Sequence, residues 1–194
     1  MQQGDALLIV DVQNDFCPGG ALGVAGGDAV ARTLSDQARQ FADAGLPVAA
    51  SRDWHPEHTR HFISGGGPWP PHCVQGTPGA DFHPDLELPA GTAIISKGMS
   101  TEDDGYSAFE GQTGEGEPLT AWLRERGVRR LFVGGLATDY CVRASVLDAL
   151  ADGFAVVLLT DAMHAVDVQP GDGDRALAEM RTAGSVEQTV ATAR

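Results

Sequence analysis

Apolar positions along the chain alternate between two periods. Residues 6–10 (ALLIV), ended by Asp11, read as a short buried strand. Residues 28–44 place Val30, Leu34, Ala38 and Phe41 at helical spacing, and Gly45 stops that segment. The alternation then repeats. Strands are expected at 46–51, 92–96, 128–133 and 154–160, and helices at 117–126, 139–151 and 173–183. Pro118 falls in the first turn of its helix, Gly127 ends it, and residues 185–190 add a short edge strand. Strands alternating with helices predict βαβ units: a single-domain, three-layer α/β/α sandwich over 1–194 with a mainly parallel sheet.

In such folds ligands sit beyond the carboxyl ends of the strands. The segments to search are therefore 11–20, 52–72, 97–109 and 134–141. The connection from 53 to 91 is long and carries no obvious helix or strand, and long ordered loops in compact domains are commonly functional.

Three residues leave apolar strands at that edge. Cys141 follows RLFV, a turn at Gly134–Gly135 and a polar step, and it opens a helix. A thiol in a first helical turn meets the positive end of the dipole, which predicts a lowered pKa. Two readings stand: an activated nucleophile, or a buried core cysteine behaving as a small hydrophobe. Asp11 is a partly desolvated acid/base group or a plain turn residue. Lys97 is a cation aimed at the site or a snorkelling surface lysine. Together an acid/base group, a cation and a thiol make a nucleophilic set.

A second cluster has metal-ligand chemistry. Five of the six histidines (His55, His58, His61, His72, His83) fall between 55 and 83. Asp53 and His55 share one face of an extended segment, and one Asp with two or three His suits a divalent ion such as zinc, iron or manganese. His58, His83 and His164 are expected to be plain surface or packing residues. Cys17 and Cys73 are expected to pack.

Composition narrows the classes. The 27 Asp+Glu against 13 Lys+Arg give a formal charge of -14, which argues against nucleic acid as a partner. The longest apolar run spans six residues, 154–159, far short of the roughly 18–20 that cross a bilayer. MQQGDALLIV has no basic stretch before its apolar residues, so a cytoplasmic protein with reduced thiols is expected. Three cysteines do not form a disulfide framework. No signal selects a monomer over a homo-oligomer. GxGxxG, GxSxG and Walker patterns are absent, so no nucleotide cradle or serine elbow is expected.

At these residues a resemblance emerges. DVQNDFCPGGALGV (11–24), DWH (53–55), WPPHCVQGTPGADFHP (69–84), Lys97, YSAFEG (106–111) and GLATDYCV (135–142) resemble the nicotinamidase/pyrazinamidase family of isochorismatase-like cysteine hydrolases, in order and over nearly the whole chain. The resemblance implies Cys141 as nucleophile, Asp11 as general acid/base and Lys97 as third catalytic member. It implies one divalent metal on Asp53, His55 and His72. An oxyanion hole would come from the backbone N–H groups of Ala137 and Cys141, beside a cis Leu136–Ala137 peptide. Phe16, Trp69, Tyr106 and Leu136 would line the pocket for a small aromatic carboxamide, nicotinamide, hydrolysed to nicotinate in NAD salvage. Pyrazinamide is a second implied substrate.

Many relatives carry a histidine six positions after the metal-binding Asp, where this chain has Thr59. A mycobacterial-type subgroup places a ligand eight positions after it, before a Phe, which His61–Phe62 matches. The acidic stretch 100–104 (STEDD) departs from that pattern. An N-carbamoyl amidase would share Asp11, Lys97 and Cys141 but needs no metal set. A non-enzymatic homologue would lack the complete trio, and a thiol redox protein would need a resolving cysteine near Cys141.

Overall fold

A computed structural model describes residues 1–193. Six parallel strands form one sheet in the order β3-β2-β1-β4-β5-β6. They are β1 (Asp5–Val10), β2 (Val48–Asp53), β3 (Ala93–Lys97), β4 (Arg130–Leu136), β5 (Ala155–His164) and β6 (Val186–Gln188). The helices are α1 (Gly27–Asp43), α2 (Leu119–Glu125), α3 (Arg143–Ala151) and α4 (Asp172–Ala183).

Alternate strand residues feed two cores, as the two-residue period requires. Leu7, Ile9 and Phe132 pack under Val30, Leu34 and Phe41 of α1. Leu8, Val10 and Leu131 pack on the other face with Trp122 of α2, Val146 of α3 and Met180 of α4. The expected three-layer arrangement is therefore present. Strand order reverses between β1 and β4, which opens a crevice at their carboxyl ends.

Several expected boundaries shift. β2 starts at Val48 and runs on to Asp53, so Asp53 belongs to a strand end rather than to the loop. β4 continues through Gly134 and Gly135, which are strand residues and not a turn. The reason is steric: Gly135 has φ +134, and a Cβ there would lie 2.1 Å from the Val10 carbonyl oxygen. β5 likewise extends past Thr160 to His164. Pro118 is the N-cap of α2 and not part of its first turn. The crossover from β2 to β3 carries no α-helix, only single 3-10 turns at Ile63–Gly65 and Pro78–Ala80.

Candidate active site

Asp11 follows β1 directly and turns the chain at φ +49. Lys97 is the last residue of β3 and stands in register with Asp53 at the end of β2. Cys141 sits in a π-helical turn, Thr138–Val142, that precedes α3. That turn is closed by the Val142 N–H donating to the Ala137 carbonyl at 3.1 Å. Four strands thus deliver Asp53, Lys97, Asp11 and Cys141 to one place.

Lys97 is the hub. Its Nζ lies 2.6 Å from Asp11 Oδ2 and 2.5 Å from Asp53 Oδ1. It donates to the Gly105 carbonyl at 2.6 Å, and Cys141 Sγ is 3.6 Å away. The Ser51 hydroxyl donates to Asp11 Oδ1 at 2.7 Å. Asp11 Oδ2 is buried and, despite its ion-pair distance to Lys97, takes no well-aligned hydrogen bond. A carboxylate oxygen of Asp11 and one of Asp53 lie within 4.8 Å of Cys141 Sγ and of each other.

Two carboxylates around one ammonium leave a net negative charge beside the thiol. Burial pushes the Asp11 carboxyl up and Lys97 pulls it back, leaving it at about 6. Burial also acts against charge on Lys97, but Asp11 and Asp53 outweigh it and hold the ammonium protonated. For Cys141, burial raises the thiol well above its ordinary value; Lys97 pulls it down, and the Asp11 and Asp53 carboxylates push the same way as burial. This corrects the expectation of a dipole-lowered thiol. Cys141 is buried in a π turn among carboxylates rather than placed at an open α-helix N-terminus.

The histidine cluster lies on the other side of Asp53. One ring nitrogen each of His55, His61 and His72 lie within 4.8 Å of one another, all three residues buried. Asp53 Oδ2 is 3.6 Å from His55 Nε2 and 3.9 Å from His72 Nε2. These spacings are too long for hydrogen bonds and suit atoms that each sit about 2.1 Å from one shared ion. His55 Nε2 is buried without a partner. The opposite nitrogens are occupied: His55 Nδ1 meets the Gly98 carbonyl at 3.1 Å and His72 Nδ1 the Pro70 carbonyl at 2.8 Å. Burial lowers His72 to about 4 and also lowers His61, which keeps both imidazoles neutral and available as donors. The residues present therefore fit a divalent metal. His61 joins the group, and Thr59 beside it accepts the His61 N–H and donates to the Thr101 carbonyl, each at 3.2 Å.

A cavity of about 310 Å³ opens over both clusters, reaching Cys141, Asp53, His61 and His72. Phe16, Trp69 and Tyr106 form walls, and the Trp69 indole N–H donates to the Tyr106 hydroxyl at 2.9 Å. Leu136 does not line the cavity. It is fully buried in the α1 core, because the two-residue strand period turns it toward Gly27. The Leu136–Ala137 peptide is cis. Ala137 and Cys141 both line the cavity.

Sequence reasoning missed four residues here. Tyr140 is a further wall, its ring 5.1 Å from Trp69; an aromatic next to the strand-end cysteine was the available signal. Ser51 holds Asp11. The Gln13 amide brackets the Asp53 backbone, donating to its carbonyl and accepting its N–H, each at 2.8 Å. Ser145 donates to the Cys141 carbonyl at 2.7 Å. His58 and His164 are exposed and His83 is half-buried, accepting the Asp85 N–H through Nδ1. Cys17 and Cys73 are buried and unpaired, and burial lifts the Cys17 thiol to about 11. Among the described residues no helix is long and apolar enough to cross a membrane.

The chain is similar to known proteins over almost its full length. The isochorismatase domain family matches residues 5–192. The nicotinamidase/pyrazinamidase of Mycobacterium tuberculosis is 49% identical over 187 residues, which cover 94% of this chain and 96% of that protein. The nicotinamidase of Escherichia coli is 42% identical, covering 96% and 95%. Among solved structures, the pyrazinamidase of Pyrococcus horikoshii in complex with zinc superposes with a TM-score of 0.88 at 45% identity, covering 96% of this chain and 99% of that one. A protein of L. infantum solved in complex with nicotinate gives 0.85 at 38% identity, covering 97% and 94%. The chain belongs to the isochorismatase family and, within it, to the nicotinamidase/pyrazinamidase group.

Proposed function

We propose that this protein hydrolyses nicotinamide to nicotinate and ammonia through a thioester on Cys141, with pyrazinamide as a second substrate. The observation that carries the reading is the shared cavity. The Cys141 thiol and the Asp53/His61/His72 group open onto one aromatic-walled space of about 310 Å³. Similarity to a pyrazinamidase complexed with zinc and to a structure complexed with nicotinate supports it.

Each step has a group in place. Asp11 accepts the Cys141 proton through the buried Oδ2 that lacks an aligned hydrogen bond. The sulfur attacks the amide carbon, and the electron pair of the C=O bond moves to oxygen. The Ala137 and Cys141 N–H groups stabilise that oxyanion. The pair returns, the C–N bond breaks, and the proton held by Asp11 passes to the departing ammonia. Water then adds to the thioester while Asp11 takes its proton. The C–S bond breaks, the thiolate regains the proton from Asp11, and the released carboxylic acid gives its remaining proton to solvent to leave as nicotinate. Lys97 remains charged throughout and keeps Asp11 ionisable in a buried position. Phe16, Trp69, Tyr106 and Tyr140 hold the planar ring and exclude water from the thiol.

Asp53, His55, His61 and His72 would hold the divalent metal, and a metal there supplies a Lewis-acid anchor for the pyridine nitrogen. This donor set suits zinc, iron or manganese. The test is ammonia release from nicotinamide by wild type and Cys141→Ala, with metal content measured on both. Ammonia from wild type alone, with metal on both, is the expected result. No ammonia from folded, metal-loaded wild type rejects the reading.

A further inference from the structure

The three histidines are anchored differently at Nδ1. His55 and His72 face neutral carbonyls, of Gly98 and Pro70. His61 faces a carboxylate: its Nδ1 is 3.4 Å from Asp104 Oδ1. Asp104 closes the acidic stretch 100–104, the one segment the hydrolytic reading leaves without a task.

That segment is built to stand beside His61. It leaves β3 at Gly98 and returns at Gly105, where a Cβ would lie 2.5 Å from the Gly98 Cα, so the loop is pinched at its base. Its outer part is stitched to the histidine segment. The Arg60 N–H donates to the Thr101 carbonyl at 3.0 Å and the Thr59 hydroxyl to the same oxygen at 3.2 Å. Arg60 Nη2 lies 3.5 Å from the second oxygen of Asp104. The carboxylate is thus turned with one oxygen to Arg60 and the other to His61.

A carboxylate behind an imidazole fixes the tautomer with Nε2 bare and makes that nitrogen a stronger donor than a carbonyl does. We propose that Asp104 is a positioning residue for the metal: through His61 it sets how tightly this chain retains its divalent cation. The proposal rests on the metal reading above. Asp104 is half exposed and shares its charge with Arg60, so the effect falls at the lower end of the range for such partners.

The test measures zinc affinity of the full chain by competition with a chromophoric chelator, independently of turnover. Asp104→Asn should weaken zinc binding about tenfold, and Asp104→Glu should recover most of that loss. The metal-free thermal midpoint of Asp104→Asn should match wild type. Arg60→Ala, which removes the other partner of Asp104, should change zinc affinity by less than about twofold, because the His61 contact remains. Wild-type zinc affinity in Asp104→Asn overturns the proposal. So does an equal loss in Arg60→Ala, which would assign the effect to loop anchoring. If the wild type itself binds no zinc, the metal reading falls, an outcome distinct from an unaffected Asp104→Asn.

Discussion

Asp11, Lys97 and Cys141 stand at or just beyond the ends of three strands of one sheet, whereas His55, His61 and His72 hang on a crossover that contains no α-helix. The first group is held by the backbone ladder and by ion pairs of 2.5 to 2.6 Å around Lys97. The second is held by hydrogen bonds behind each ring and leaves a buried nitrogen of His55 without a partner. Asp53 belongs to both. Its Oδ1 faces Lys97 and its Oδ2 faces the histidines. The contrast separates two arrangements: the sheet carries a thiol beside carboxylates paired to one lysine, and the loop carries a set of donors around an unpartnered imidazole nitrogen.

The largest effect breaks the first half. Cys141→Ala should lower turnover by at least about 10³-fold with metal content unchanged, measured by ammonia release and metal analysis. Lys97→Met leaves Asp11 and Asp53 buried without their cation. Removing one partner of such a pair costs about 3–5 kcal/mol, to be read from urea unfolding. The second half should respond to the ion instead. Chelation should lower the thermal midpoint, because it removes the binding contribution to stability, about 2.7 kcal/mol for a metal held at a hundred times its Kd. Amide exchange should rise in 54–75 and not in β1 or β4. Acid sharpens the contrast further. Asp11, at about 6, must be a carboxylate to accept the thiol proton. Its protonation below that pH should lower kcat/KM about tenfold per pH unit, with Asp11, Lys97 and Cys141 titrating together. The smallest effect is at the wall: Tyr140→Leu should raise KM a few-fold, roughly the loss of about 0.5–1.5 kcal/mol of ring packing, with kcat unchanged.

What was legible in the sequence follows the same division. A charged residue after an apolar run marks a strand end, so Asp11 and Lys97 could be placed by pattern, and with Cys141 they do meet. The DWH and WPPHC segments carry the metal donors only by type and by resemblance, because nothing in spacing brings residues 55, 61 and 72 to one point. The Asp53–Lys97 pairing needed the register of β2 against β3. A dipole argument from one element cannot give the Cys141 pKa, because burial leads and the Asp11 and Asp53 carboxylates from other strands act with it. Leu136 differs for another reason: its neighbour Ala137 lines the cavity, but strand alternation turns Leu136 into the core.

In the proposed reaction the sheet-borne thiol carries the chemistry while the loop-borne donors hold the ring. Rapid acid quench during turnover of nicotinamide, followed by peptide mass spectrometry, tests it most directly. The expected result is a nicotinoyl group on the peptide containing Cys141, absent from Cys141→Ala and reduced when the metal is chelated. Steady ammonia release with no acyl group on Cys141 at any quench time, or with the acyl group on Cys17 or Cys73, would contradict it.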